Sequence, residues 1–358
     1  MCAIVGFIQC GDPELLREAS EIQAHRGPDG HGLQWWEEHG SGFGHRRLSI
    51  LDLSAAGHQP MSTPDGRYWI TFNGEIYNFQ DIRRKLEAKG LKFRSSGDTE
   101  VIVRAYELWG ADCLREFNGM FAFAIFDVLT GRLFAARDHI GIKPFYYWHD
   151  GRRLAFASEI KALLRCPFVP RAADLDAVAT PARFQISPAT GFVGIKKLPP
   201  AHCLTFEHGQ LKTSCYWQLR PREDAIASDG ETAEELDALL GDAVRLQMIA
   251  DRPVGTFLSG GLDSSIISAF MRKNYSGDIH AFTISFSAAD QRYERMPNDS
   301  FYAKKVAQQF GFKFHEFELQ PAVADLLPKM VWHLDEPLSD PATINTYMIS
   351  QAARDLGI

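Results

Sequence analysis

Cys2 stands directly behind the initiator methionine, and that position could do chemistry. Met1 is removed when a small residue follows it, which leaves a thiol and a free α-amine on one carbon. The thiolate is a nucleophile that needs a base. An α-amine with a reference pKa of about 7.7–8.0 is half neutral near physiological pH and can serve. Taken alone, Cys2 reads first as a buried cysteine opening an edge strand. Asn73-Gly74 follows the apolar run 69–72, a hairpin signal, yet an Asn amide and the next backbone N–H can also form an oxyanion hole. Arg47 could grip a carboxylate through its fork or lie solvated on a loop. Asp98 could cap the helix at 101–109 or hold an ammonium group.

A second stretch is chemical in a different way. An apolar strand at 254–258 runs into Ser259-Gly260-Gly261-Leu262-Asp263-Ser264-Ser265, and a helix continues over 266–272. Such a turn converges backbone N–H groups at a helix N-terminus, an anion site. The order departs from the G-x-x-x-x-G-K-S/T phosphate loop. An aspartate inside the cradle suggests Mg²⁺ arriving with the phosphates. The alternative is an ordinary serine-rich strand-to-helix turn.

The elements that position these residues fall into two patterns. The first half reads as a buried strand at 2–8, a helix at 15–23, a Gly-Pro-Asp-Gly turn at 27–30 and a strand at 43–51. Helices follow at 80–89 and 101–109, then strands at 117–127, 133–138, 144–148 and 154–158. This is a set of antiparallel hairpins needing covering layers on both outer faces. Asp138 and Glu159 read as structural hydrogen-bonding residues. Prolines break the pattern from 165 to 217, and a polar linker follows over 218–230. From there a helix at 231–249 with Thr232 as its cap precedes strands at 254–258, 280–286 and 313–318. These alternate with helices at 266–272 and 299–310, which implies a parallel, doubly wound sheet.

Composition narrows the function classes. A chain of 358 residues has room for two domains, and 45% hydrophobic with 23% charged residues is a globular mix. A formal charge of −7 gives no electrostatic footprint for nucleic acid. The six cysteines are scattered without C-x-x-C spacing, which argues for reduced thiols in the cytoplasm and against zinc or a disulfide framework. The short apolar N-terminus does not read as a signal peptide, and no apolar run approaches about 18 residues, so no membrane is expected.

Six pieces of the first half, in order, resemble the class II glutamine amidotransferases: Met1-Cys2-Ala3-Ile4-Val5-Gly6, Arg26-Gly27-Pro28-Asp29, His45-Arg46-Arg47-Leu48-Ser49-Ile50, Asn73-Gly74-Glu75-Ile76-Tyr77-Asn78, Ser96-Gly97-Asp98 and Arg137-Asp138-His139-Ile140-Gly141-Ile142-Lys143-Pro144. With the 259–265 loop, the whole chain resembles the glutamine-hydrolysing asparagine synthetase family. The resemblance implies an α+β N-terminal-nucleophile hydrolase domain (an αββα sandwich, residues 1–217), then an α/β doubly wound ATP pyrophosphatase domain (231–358). It implies Cys2 as the nucleophile toward glutamine, with Asn73 and Gly74 stabilising the oxyanion. Arg47 with the backbone of Leu48, Ser49, Ile50 and Leu51 would hold the substrate carboxylate, and Glu75 and Asp98 its ammonium. Phe257, Ser259, Gly260, Gly261, Asp263, Ser264, Ser265 and Ile284 would hold ATP, with Asp263 on Mg²⁺.

The implied partners are glutamine, ATP and a carboxylate acceptor, aspartate first, with a homodimer left open. The implied reaction passes through an acyl adenylate and releases AMP and pyrophosphate, ammonia travelling internally between the sites. The chain stops before the family's Ser-Gly-x-Gly-x-Asp-Glu loop and catalytic lysine, so the second domain is expected to be incomplete. A Thr-Thr…Arg stretch of asparagine-forming relatives is missing around 335–343, which leaves another carboxylate acceptor, glutaminase activity alone, or a silent binding role as alternatives.

Overall fold

The computed structural model describes residues 1–179, 184–221, 228–286, 299–320, 322–336, 338, 340 and 342–358. Pro181, most of the polar linker and positions 337, 339 and 341 lie outside them. The chain divides into two compact units, one of residues 1–220 joined by Asp335 and Glu336, the other of the remainder from Pro221 onward.

Among the described residues, twelve strands build the first unit. They are β1 (Ala3–Ile8), β2 (Gly30–Trp36), β3 (Ser41–Arg47), β4 (Met61–Ser62), β5 (Tyr68–Ile76) and β6 (Gly119–Asp127). Then follow β7 (Arg132–Arg137), β8 (Tyr146–His149), β9 (Leu154–Ala157), β10 (Ile195–Lys197), β11 (His202–Glu207) and β12 (Gln210–Cys215). One six-stranded sheet runs β10-β8-β9-β1-β3-β2 and the other β12-β11-β7-β6-β5-β4, with every named strand pair in them antiparallel.

Period-two alternation explains why β1 and β6 read as unbroken apolar runs, since each is buried on both faces. Ile4 and Ile8 of β1 join Ala122, Ala124 and Phe126 of β6 in the core between the sheets. Val5 and Phe7 face the other way, into a cluster with Leu16, Ala19 and Ile160. Those three come from α1 (Pro13–Glu21) and from α4 (Ile160–Leu163), which follows α2 (Phe79–Glu87) and α3 (Asp98–Trp109) in the chain. The last two pack together, α3 lying on β5. The layers are therefore α, β, β, α.

A side chain at Gly6 would meet the Phe156 ring at 2.3 Å and Phe43 at 2.9 Å, so only hydrogen lets these rings close the core against β1.

The second unit contains a parallel sheet of β13 (Gly255–Phe257), β14 (His280–Ser285) and β15 (Lys313–Glu318), in that order. After the short α5 (Leu175–Ala179) of the first unit, the helices among the second unit's described residues are α6 (Asp229–Gln247), α7 (Leu262–Asn274), α8 (Asp299–Phe310), α9 (Val323–Leu334) and α10 (Ala342–Asp355). Leu258, Met271, Ile279, Ala281, Ala303, Ala307 and Phe312 form its main core cluster. Strand and helix alternate as the sequence predicts. The start of α6 differs: Ser228, not Thr232, is its cap, in a reciprocal capping box with Glu231, because Ser-x-x-Glu satisfies two orphan N–H groups together. Among the described residues no helix is long and apolar enough to cross a membrane.

Gly6→Ala is expected to destabilise the first unit by about 1–3 kcal/mol through overpacking. Urea unfolding followed by tryptophan fluorescence checks it, since six of the seven tryptophans precede residue 221.

Candidate active site

Cys2 sits half-buried at the mouth of β1. Its thiol faces the backbone of Leu48: the Leu48 N–H donates to Sγ at 3.4 Å, and Sγ–H donates to the Leu48 carbonyl at 3.6 Å. A cleft beside it is lined by Arg47, Leu48, Ile50, Leu51, Gly74, Glu75 and Asp98. Burial pushes the thiol pKa up, while the Leu48 N–H and the neighbouring N-terminal amine pull it down. That amine belongs to Met1, and burial lowers it to about 6. The Nζ of buried Lys143 lies 3.3 Å from the Met1 Sδ.

Asn73-Gly74 does not form a hairpin. Both residues lie inside β5, Asn73 opposite Ala122 and Gly74 opposite Phe121, because the nine-residue strand pairs with β6 along its full length. Asn73 is buried, and its Nδ2 finds no hydrogen-bond partner. A buried amide donor costs free energy when unpaired, so this one is available to an incoming oxygen. A Cβ at Gly74 would meet the Met120 carbonyl oxygen at 2.2 Å, and a side chain has no room there.

Asp98 is not the helix cap. It is the first residue of α3, Gly97 occupies the cap position without a side-chain bond, and the Asp98 Oδ2 accepts the Ile76 N–H at 2.9 Å. Burial raises its pKa to about 6. Burial, then the Asp98 charge, raises Glu75 to about 8. Two carboxylates held uncomfortably at one cleft wall are arranged for a cation, which would restore the charged form of both. Across the cleft the Arg47 guanidinium donates to the carbonyls of Ser54 (3.0 Å), Leu51 (3.3 Å) and Asp52. It is thus held by its own loop.

Other residues that position the site are only indirectly legible in sequence. Asp29 Oδ2 accepts the Ser49 N–H at 2.8 Å, which fixes the backbone from 48 to 51. Buried Asp52 takes the Ser96 N–H at 2.8 Å and both the hydroxyl and the N–H of Ser54, tying two cleft loops to one carboxylate. Glu100 accepts from the N–H groups of Arg94 and Ser95 and from the Ser95 hydroxyl. The Gly-Pro-Asp-Gly stretch is more than a turn: a Cβ on Gly27 would lie 2.3 Å from the Arg46 carbonyl carbon. Turn chemistry masks such roles, because the partner lies far along the chain.

The second candidate site lies in the second unit. Ser259 Oγ pairs with Ser264 Oγ at 3.0 Å and accepts the Gly261 N–H at 3.2 Å. Gly260 has φ +76, and a Cβ there would meet the Ala303 nitrogen at 2.4 Å, so left-handed backbone and close approach to α8 both require glycine. Asp263 and Ser264 stand in the first turn of α7, whose leading N–H groups have no intrahelical acceptor. Phe257 is half exposed on β13 and Ile284 partly buried on β14, neighbouring parallel strands. One carboxylate beside hydroxyls suits Mg²⁺ held chiefly by phosphate oxygens. Groups of three or more His, Cys, Asp or Glu able to hold a metal are absent among the described residues.

The glutamine amidotransferase domain family matches residues 1–217, and the asparagine synthase family matches 235–358. Glutamine-hydrolysing asparagine synthetase 3 of Bacillus subtilis is 36% identical over 94% of this chain and 57% of its own length. An asparagine synthetase homologue of Methanocaldococcus jannaschii is 35% identical over 99% of this chain and 72% of its own. The chain thus spans little more than half the length of the first of these relatives. Among solved structures, a glutamine phosphoribosylpyrophosphate amidotransferase from B. subtilis aligns with 90% of this chain and 82% of its own at 15% identity, TM-score 0.46.

Because the fold raises the pKa of Glu75 and Asp98, it favours their protonated forms. Their contribution to stability is complete below about pH 4 and is lost as pH rises through about 6 and 8. Glu75→Gln is therefore expected to stabilise the ligand-free chain at pH 8.5 by about 1 kcal/mol or more and to leave it unchanged at pH 4, read by thermal melting at both.

Proposed function

The chain belongs to the glutamine-hydrolysing asparagine synthetase family, and from that premise we propose that its first unit hydrolyses glutamine at Cys2 to supply ammonia for an ATP-driven amidation. One observation carries the reading: Cys2, Gly74 and the Glu75–Asp98 carboxylates line a single cleft that Arg47 also lines, with the partnerless amide of buried Asn73 next to Gly74 in the chain. A zwitterionic amino acid needs that set of one cationic and two anionic grips.

Arg47 and the 48–51 backbone hold the α-carboxylate, and Glu75 with Asp98 hold the α-ammonium. The Cys2 thiol passes its proton to the α-amine, and the thiolate so formed attacks the side-chain amide carbon. Asn73 Nδ2 and the Gly74 N–H stabilise the oxyanion. The C–N bond breaks, ammonia leaves with the proton held on the amine, and water hydrolyses the thioester to glutamate. The mature chain then begins at Cys2, because a retained Met1 keeps the nitrogen of Cys2 in a peptide bond and removes that base.

In the second unit, the first turn of α7 with Ser259, Gly260, Gly261, Ser264 and Ser265 cradles the phosphates of ATP. Asp263 is the residue that would hold Mg²⁺, which supplies charge neutralisation on those phosphates. The acceptor is aspartate, amidated to asparagine through an acyl adenylate. Support comes from the likeness to the two asparagine synthetase relatives, and aspartate-dependent exchange of pyrophosphate into ATP tests it. Exchange supported by another carboxylate instead identifies a different acceptor.

Cys2→Ala is expected to abolish glutamine hydrolysis, and Asn73→Ala to lower kcat by about 10²–10³; an active Cys2→Ala chain overturns the reading. A form that keeps a residue ahead of Cys2, verified by intact mass, is expected to be inactive until that residue is cleaved off.

A further inference from the structure

Beneath Cys2 runs a line of buried ion pairs for which the thiol chemistry gives no role. Arg26 Nε donates to the Cys2 carbonyl at 3.0 Å, and its Nη1 reaches Glu159 Oε1 at 3.2 Å. The other Glu159 oxygen takes Lys161 Nζ at 2.6 Å. The same Nζ lies 2.9 Å from Asp335 Oδ1, and Asp335 Oδ2 accepts the Ile160 N–H at 2.7 Å. Charges alternate along the line, and the four side chains are 11%, 6%, 9% and 7% exposed.

Asp335 arrives from 175 positions away in sequence and holds φ +64, a left-handed backbone that costs a non-glycine residue of order 1 kcal/mol. Burial raises its pKa while Lys161 lowers it. Burial also acts to raise Glu159, but hydrogen bonds from His25 and Lys161 outweigh it and hold that carboxyl low.

In water such pairs contribute little; here, removing one member leaves a buried charge uncompensated. Without the negative charge of Asp335, Lys161 leans more heavily on Glu159, which already receives Arg26 and His25. The carboxylate is drawn toward Lys161, and Arg26 loses the anchor that aims its Nε at the Cys2 carbonyl. That carbonyl fixes the backbone from which the sulfur projects, and a misplacement of about 1 Å can cost about 10²-fold in rate.

We propose that Asp335 is a positioning residue for the Cys2 nucleophile, acting through Lys161, Glu159 and Arg26; this rests on the glutaminase reading above. Glu336 provides the internal control. It anchors the same segment through the Gly191 N–H at 2.7 Å and Lys197 at 2.7 Å, and those contacts do not include Glu159 or Arg26.

The test measures glutamine hydrolysis and the rate of iodoacetamide alkylation at Cys2, read by peptide mass spectrometry, in the whole chain. Asp335→Asn is expected to lower kcat about tenfold with KM within about twofold, and to change the alkylation rate. Glu336→Gln is expected to leave both readouts within about twofold. In a Lys161→Met background, Asp335→Asn is expected to have little further effect. Equal losses in Asp335→Asn and Glu336→Gln, additivity with Lys161→Met, or unchanged kcat in Asp335→Asn beside an active wild type overturn the proposal. A wild type that hydrolyses no glutamine overturns the glutaminase reading itself, and alkylation then still reports whether Asp335 governs Cys2. Melting by circular dichroism establishes folding. If Asp335→Asn does not fold, Asp335→Glu takes its place, with an intermediate loss of kcat expected and an unchanged kcat again overturning the proposal.

Discussion

The architecture of the first unit depends on the double burial of β1. That strand is hydrogen-bonded to β3 on one side and β9 on the other, and its two faces feed two separate cores. A residue at the mouth of such a strand inherits its rigidity. Cys2 can therefore keep an N-terminal position, ordinarily the loosest place in a chain, and still present its sulfur to the Leu48 backbone with little freedom. The thiol, the Asn73 amide and the carboxylates of Glu75 and Asp98 come from strands and a helix end of one sandwich, and long-range pairing sets the geometry between them.

Much of the fold was legible because hydrophobic periodicity reports burial directly. The apolar runs behind Cys2 and around Phe121–Phe126 gave two-faced strands, and the strand–helix alternation after residue 254 gave a parallel sheet. Local turn chemistry was the weak guide. Asn73-Gly74 carries the strongest hairpin signal yet lies within a continuous strand, because pairing with β6 over nine residues overrides a two-residue preference. Asp98 has the type and place of a cap, but the Ile76 N–H at the end of β5 claims its carboxylate. At the start of α6, Ser228 and Glu231 cap the helix as a pair, a pattern hidden by the polar run before it.

The candidate site was legible where a residue's type limits its chemistry and obscure where its partner is distant. Cys2, Asn73, Glu75 and Asp98 could be singled out on type and combination. Asp29 and Asp52 could not, since an acidic residue in a loop most often faces water. Their ties to the cleft loops come from backbone N–H groups 20 and 44 positions away. The turn after Phe257 is local: strand end, loop and helix start are contiguous from Gly255 to Ser265, so the sequence displays the turn directly.

Asp52 has a mechanical consequence. One carboxylate holds the Ser54 turn, whose carbonyl also steadies Arg47, and at the same time the Ser96 N–H that leads into Asp98. The arginine side of the cleft and its carboxylate side are thereby riveted together. In the function proposed above, such a clasp would act as a caliper of fixed gauge: a guest with the right charges at the wrong spacing would gain from one jaw only.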